Sequence, residues 1–138
     1  MSKLERFIKV QENSFERALS EIENGKKVTH WMWYIFPQIK GLGKSYNSIF
    51  YGIDSKIEAS KYLSHEVLGL RLKVCTEALM THADKTAYEV LGGVDSMKLK
   101  SSMTLFSEVS NEACFEKLLG TFFNGAKCQR TLGLIQNN

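Results

Sequence analysis

Residues 30–45 read HWMWYIFPQIKGLGKS, and this stretch could be a phosphate-binding loop, the wall of a ligand pocket or a dense piece of the hydrophobic core. It joins five aromatic or heterocyclic side chains and the only proline of the chain to a glycine-rich tail ending in Gly-Lys-Ser. A phosphate-binding P-loop needs a glycine five positions before its Gly-Lys pair, with a strand before the loop and a helix after it. Gln38 holds that position and no parallel-sheet pattern surrounds it, so the sequence argues against a P-loop.

The aromatic part of this stretch predicts a buried helix capped by Thr29, because a helix with large apolar side chains on all sides is buried. Two roles for it stay open. It is either a central core helix only, or the wall of a small-molecule pocket, since such pockets combine aromatic walls with a few polar groups. The candidate ligand-binding residues here are Trp31, Trp33, Tyr34, Gln38 and Lys44.

A second cluster lies in residues 92–106, GGVDSMKLKSSMTLF. On a helix, Asp95, Lys98 and Ser102 fall on one stripe, which aligns a carboxylate, an ammonium group and a hydroxyl. The alternative is a solvated ion pair between the first two, with serines that bond only to their own helix. Asp95 and Lys98, together with His30, are the candidate catalytic residues, and Ser101 and Ser102 are candidate ligand donors.

The remaining sequence predicts an all-α fold, a compact single-domain bundle of about seven short helices over residues 1–138. Capping boxes begin helices at Asn13 and Ser55, and Asn111 caps a later one. Gly-containing pairs at 24–25 and 124–125 end helices. The longest helix is expected within 65–83, where Gly69 indicates either a close helix contact or a break. Residues 45–53 have a β-like composition, but one isolated strand builds no sheet.

Charge and motif spacing argue against several classes of protein. The net charge of +3 comes from 18 basic and 15 acidic residues that are interspersed, without the dense basic stripe of a nucleic-acid binder. No apolar run approaches the roughly 20 residues that span a bilayer. The three histidines lack the spacing of a metal site, and we expect no metal and no cofactor.

The three cysteines have no C-x-x-C spacing, and the first residues lack the apolar core of a secretory signal. We therefore expect a reduced, cytoplasmic protein. Cys75 and Cys114 lie on apolar stripes, which predicts buried, unreactive thiols. A monomer or a weak homo-oligomer fits this size.

Five strings, in this order, resemble the family called domain of unknown function 1810: HWMWYIFPQIKGLGKS, YGI, EASKYLSHEVLGLRL, GGVDSMKLKSSMTLF and FEKLLGTFFNGAKCQRTLGLI. The resemblance runs from about Arg6 to Ile135. It implies a compact helical fold and no established activity. The family is often labelled calpastatin, a name at odds with this sequence, because that inhibitor is a long disordered chain and this one has the core and caps of a globular domain.

Both residues 30–45 and residues 92–106 belong to the motif strings of the family. This favours a pocket that the two segments share over two unrelated surfaces. The hypothesis is that residues 30–45 and the helix of residues 95–106 face each other. Trp31 or Trp33 would be a stacking wall, Lys98 the anion contact, and Asp95 or His30 the acid-base group. The expected ligand is a small anionic metabolite, such as a nucleotide or an ADP-ribose derivative, and whether it is transformed stays open. The alternative is a non-enzymatic protein-interaction module in which the aromatic stretch is only core.

Overall fold

Within residues 3–136, which the computed structural model describes, the chain forms ten α-helices and no strand. The helices are α1 (Glu5–Glu12), α2 (Phe15–Glu23), α3 (Met32–Ile35), α4 (Tyr46–Phe50), α5 (Lys56–Ser64), α6 (Leu68–Met80), α7 (Ala87–Leu91), α8 (Gly93–Glu108), α9 (Ala113–Phe123) and α10 (Gln129–Gln136). Seven of them have eight or more residues, which confirms the all-α prediction. The predicted domain limits, 1 and 138, lie outside the described residues.

Helix α8 is the centre of the fold and, with 16 residues, the longest helix in residues 3–136. It packs against α5, α7, α9 and α10, and residues 101–107 are all buried. The prediction of the longest helix within 65–83 is wrong, because α6 begins only after His65, whose Nδ1 accepts the N–H groups of Val67 and Leu68. In α8, buried hydroxyls such as those of Thr104 and Ser107 donate to their own helix, so a polar sequence is tolerated in the core.

The aromatic stretch forms a much shorter helix than predicted. Only Met32–Ile35 is helical, with Trp31 and not Thr29 at its N-cap. Pro37 lacks an N–H donor and restricts the backbone of Phe36, so the helix ends there. The chain then runs extended, and Ile39 forms an isolated parallel bridge with Ile53.

Of the other predicted helix N-caps, one is confirmed and two are wrong. Ser55 caps α5 as predicted, its Oγ accepting the N–H of Glu58 at 3.2 Å. The capping box predicted at Asn13 is absent, because Ser14 is the N-cap and its hydroxyl donates instead to the Val10 carbonyl. The cap of α9 is Glu112 and not Asn111.

Two further predictions concern the end of α9 and the segment 45–53. Helix α9 ends as predicted, with Asn124 in the left-handed conformation at φ 54°. The β-like segment 45–53 contains the short helix α4, which Ser45 caps by accepting the Ser48 N–H. A local cap therefore overrides the β-like composition there.

The buried carboxylate of Glu21 fixes the approach to the aromatic stretch. Its Oε1 accepts the backbone N–H of Val28 at 2.7 Å, the N–H of Thr29 at 3.0 Å and the indole N–H of Trp31 at 2.8 Å. Its Oε2 accepts the hydroxyl of Thr29 at 2.7 Å. Burial raises the pKa of this carboxyl, but the four hydrogen bonds outweigh burial and lower the pKa from 4.5 to about 2.

Gly69 lies where α5 and α6 meet, and the predicted close contact is confirmed. A Cβ at this position would collide with the backbone carbonyl oxygen of Leu63. Gly120 in α9 offers the opposite case, since a Cβ there meets nothing within 4 Å.

We expect Gly69→Ala to lower the free energy of unfolding by about 1–3 kcal/mol, because the backbone must move to admit the methyl group. The matched change Gly120→Ala should raise it by about 1 kcal/mol, since alanine favours an exposed helix interior. Urea unfolding of both variants measures the two changes. Equal effects of the two substitutions would contradict the close contact at Gly69.

We expect Glu21→Gln to fold, because the amide oxygen keeps the three N–H donors and the amide nitrogen can donate to Thr29. In wild type, folding lowers the pKa of Glu21 from 4.5 to about 2. The ionised carboxylate therefore stabilises the fold above the unfolded pKa, and this stabilisation is lost as the pH falls to about 2. This loss, about 3 kcal/mol, should be missing from the variant.

Unfolding titrations between pH 7 and pH 2 measure this difference, with Glu16→Gln, an exposed glutamate of the same helix, as the matched control. Glu21→Ala leaves three N–H donors without an acceptor and should cost about 3 kcal/mol even at pH 7. If wild type and Glu21→Gln lose stability in parallel as the pH falls, the pKa of Glu21 is not lowered by folding.

Candidate functional site

A carboxylate between two ammonium groups joins the aromatic stretch to α8. Asp95 Oδ2 lies 2.8 Å from Lys27 Nζ, and its Oδ1 lies 3.1 Å from Lys98 Nζ. The lysine side chains are only 8% and 20% exposed. Burial raises the pKa of Asp95, but the hydrogen bonds from Lys27 and Lys98 outweigh it and leave the pKa below its ordinary value. Asp95 is therefore ionised, with both oxygens occupied.

Each ammonium group also lies against an indole ring. Lys27 Nζ is 5.3 Å from the ring centroid of Trp31, and Lys98 Nζ is 4.0 Å from that of Trp33. Both distances are within the range of a cation–π contact. We call Lys27, Trp31, Trp33, Asp95 and Lys98 the charged array. It fixes where Lys98 and Trp33 sit relative to each other.

Beside the array is a concave space of about 320 Å³, which we call the hollow. It lies between residues 33–43, the first turns of α8 and the beginning of α10. Its lining residues are Trp33, Gln38, Leu42, Gly43, Val94, Met97, Lys98, Ser101, Cys128 and Arg130. The volume is at the lower end of the ~300–1,000 Å³ of small-molecule sites, and an apolar wall with a few polar groups is their usual composition.

Two polar groups of the hollow have no partner among residues 3–136. The side chain of Gln38 is only 9% exposed, and its amide nitrogen is buried without a hydrogen bond. Arg130 is exposed and forms no ion pair in the described part of the chain. An unpaired buried amide costs about 1–3 kcal/mol, so this nitrogen is a candidate for a partner outside residues 3–136.

The structure brings four of the predicted site residues together at the hollow: Trp33, Gln38, Lys98 and Ser101. Asp95 does not line the hollow, and its Oδ1 lies 3.1 Å from Lys98 Nζ. The roles predicted for all these residues stay predictions, because burial and distance alone assign no ligand.

The other five predicted residues do not line the hollow. Trp31 is 2% exposed and Ser102 is fully buried, so both belong to the core. His30 and Lys44 are exposed. Tyr34 is half-buried, and its phenol donates to the His30 carbonyl at 3.0 Å.

Arg130 and Cys128 are the polar hollow residues that sequence reasoning missed. They reach it because α10 is tied to α8: the hydroxyls of Ser101 and Thr131 are 2.8 Å apart, and Cys128 N–H donates to Thr104 Oγ1 at 2.9 Å. No local motif marks this contact, since the partners are 24 to 30 residues apart.

Two further features concern the metal-ligating and thiol side chains of the described residues. No three His, Cys, Asp or Glu side chains in residues 3–136 lie close enough together to hold a metal ion. Cys75 is buried, which raises its pKa to about 12, and burial also raises the pKa of the half-buried Cys114. Of the described helices, none has the length and apolar character needed to cross a membrane.

Alanine substitutions of two neighbouring serines of α8 should change the free energy of unfolding in opposite directions. Ser102 Oγ is buried without a hydrogen-bond partner in residues 3–136, so Ser102→Ala should raise the free energy of unfolding by about 1 kcal/mol. Ser101→Ala removes the bond to Thr131 and should lower it by about 1 kcal/mol. Chemical denaturation measures both values, and a destabilised Ser102→Ala protein would reveal a partner for that hydroxyl.

Comparison with known proteins identifies the family. The crystal structure of the conserved hypothetical protein Rv1873 from Mycobacterium tuberculosis matches with a TM-score of 0.94 and 38% sequence identity, over 96% of each chain. No curated protein matches the sequence. The family model described as "Protein of unknown function (DUF1810)" matches residues 1–135. This match confirms the resemblance carried by the motifs, and the chain belongs to the DUF1810 family.

Proposed function

We propose that the hollow binds a small, planar, anionic metabolite of the nucleotide or ADP-ribose type. One observation carries the proposal: a single concave space of about 320 Å³ combines an indole, two cationic side chains and a buried amide without a partner. Each of these groups suits a different part of such a ligand. Their convergence on one space favours a binding site over a gap in the packing.

Arg130 and Lys98 are the proposed anion contacts. A guanidinium group binds phosphate or carboxylate through two parallel hydrogen bonds, and Arg130 has no competing acidic partner in residues 3–136. Lys98 acts as a point charge whose place is set by Asp95 and the Trp33 ring. Lys27 neutralises the second oxygen of Asp95, so the carboxylate repels an incoming anion less.

The proposal is one of binding, and the predicted catalytic roles enter it only in part. Asp95 has both oxygens bound to lysines and a lowered pKa, which makes it a weak base at neutral pH. We assign it the positioning of Lys98. His30 is exposed and outside the hollow, so it has no part in the proposed contacts.

The alternative function, an interaction module in which the aromatic stretch serves only the core, has its own support. Trp31, Ile35 and Phe36 are all buried in the central cluster. Trp33 distinguishes the two proposals. It is half-buried, lines the hollow and carries Lys98 on its ring, whereas a residue needed only for the core would be covered.

Thermal-shift measurements with AMP and ADP-ribose test the binding proposal. A ligand at a hundred times its dissociation constant should stabilise the fold by about 2.7 kcal/mol. Lys98→Met and Arg130→Met should each weaken binding about tenfold or more, because each removes a cationic contact. The matched control is Lys100→Met on the same helix, whose side chain does not line the hollow.

Calorimetry on the same variants gives the affinities, and their unfolding midpoints show that each is folded. Binding that Lys98→Met and Arg130→Met leave unchanged would place the ligand elsewhere. If neither AMP nor ADP-ribose binds to wild type, the alternative function as an interaction module is favoured.

A further inference from the structure

A second, much smaller cavity adjoins the hollow, and we call it the annex. It offers about 10 Å³, room for the centre of one water-sized group. Its lining residues are Trp33, Gln38, Ile39, Leu42, Gly43, Ser48, Tyr51 and Gly52. Trp33, Gln38, Leu42 and Gly43 line both spaces, so the annex and the hollow share part of their walls.

The polar groups of the annex are uncharged. None of its lining residues is a lysine, arginine, histidine, aspartate or glutamate. Ser48 donates its hydroxyl proton to the Ser45 carbonyl at 2.9 Å, which leaves its oxygen as an acceptor. The carboxamide of Gln38 supplies a donor and an acceptor, and neither has a partner in residues 3–136.

Gly43 lines both spaces, and the absence of a side chain there leaves room beside Ser48. A Cβ there would lie 3.2 Å from Ser48 Oγ and 3.3 Å from Ser48 Cβ. The backbone of Gly43 does not require glycine, because its φ is not in the left-handed region. Space, and not conformation, is therefore the reason for glycine at this position.

These observations deepen the proposed function and rest on it. We infer that the ligand of the hollow carries an uncharged carbonyl group, most simply a carboxamide, at the end opposite its anion, and that Gln38 reads this group. The carbonyl oxygen enters the annex and accepts from the Gln38 amide. The anionic end lies at Lys98 and Arg130.

The charge and the size of the annex set the orientation of the ligand. No residue that lines the annex is charged, so a carboxylate there would be buried without a paired cation among the lining side chains, whereas a neutral carbonyl meets a donor that has no partner in residues 3–136. The annex admits only the outermost atom of the group, so the rest of the ligand stays in the hollow. A ligand bound the other way round would leave Arg130 and Gln38 both unsatisfied.

Three phosphorylated compounds of graded structure test the inference by calorimetry. Nicotinamide mononucleotide carries a carboxamide and a phosphate, nicotinate mononucleotide replaces the carboxamide by a carboxylate, and ribose 5-phosphate lacks both groups. Wild type should bind nicotinamide mononucleotide at least tenfold more tightly than either of the other two compounds. Gln38→Met, similar in shape but without the amide, should remove this preference and change the ribose 5-phosphate affinity by less than threefold.

Gly43→Ala provides a second variant with Gln38 intact, and it should reduce the same preference because its methyl group fills the room beside Ser48. Gln136→Met, at an exposed position of α10, is the matched control and should behave as wild type. Unfolding midpoints confirm that each variant is folded.

Failure of the inference differs from failure of the proposed function. If the phosphates bind and Lys98→Met weakens them, but Gln38→Met affects all three compounds equally or none, the inference falls and the proposed function stands. The same holds if AMP or ADP-ribose binds and none of the three compounds does. If no compound binds, both are overturned.

Discussion

The arrangement of the structure depends on one buried carboxylate, that of Glu21. A carboxylate is costly to bury, and here the cost is offset by four short hydrogen bonds from residues 28, 29 and 31. These bonds hold an irregular segment against α2, where helical hydrogen bonds are not available to it. The segment carries Lys27 on one side and the aromatic stretch on the other. The wall of the hollow that residues 33–43 form therefore depends on this acceptor for its position.

The charged array transmits that position to α8. Ion pairs of this kind are weak evidence for stability, since removing charges from water offsets much of their attraction. Their contribution is geometric: Asp95 holds Lys27 and Lys98 at fixed points, and each ammonium group lies on a different indole. The two tryptophans thereby take different roles. Trp31 completes the core, while Trp33 remains half-buried at the hollow.

Part of the candidate site could be read from the sequence, and the reason differs by residue. Gln38 and Trp33 stood out because polar and aromatic groups were concentrated in one stretch, and Lys98 because of its spacing from Asp95. The choice between Ser101 and Ser102 could not be made, because adjacent helical positions differ by about 100° and the helix is buried on nearly all sides. Arg130 and Glu21 gave no signal, since their partners or neighbours are set by packing between distant or irregular segments.

Local sequence patterns were enough to predict the helical class and several helix ends, because capping residues, glycines and apolar spacing act over a few neighbouring residues. The motif strings were enough to predict the family. The length of the aromatic helix, the indole that lines the hollow and the part of α10 in its wall became known only from the fold. These outcomes depend on which groups find partners across the fold. A buried polar atom such as the Glu21 carboxylate or the Gln38 amide is defined by neighbours that lie apart in sequence, and local pattern carries no record of them.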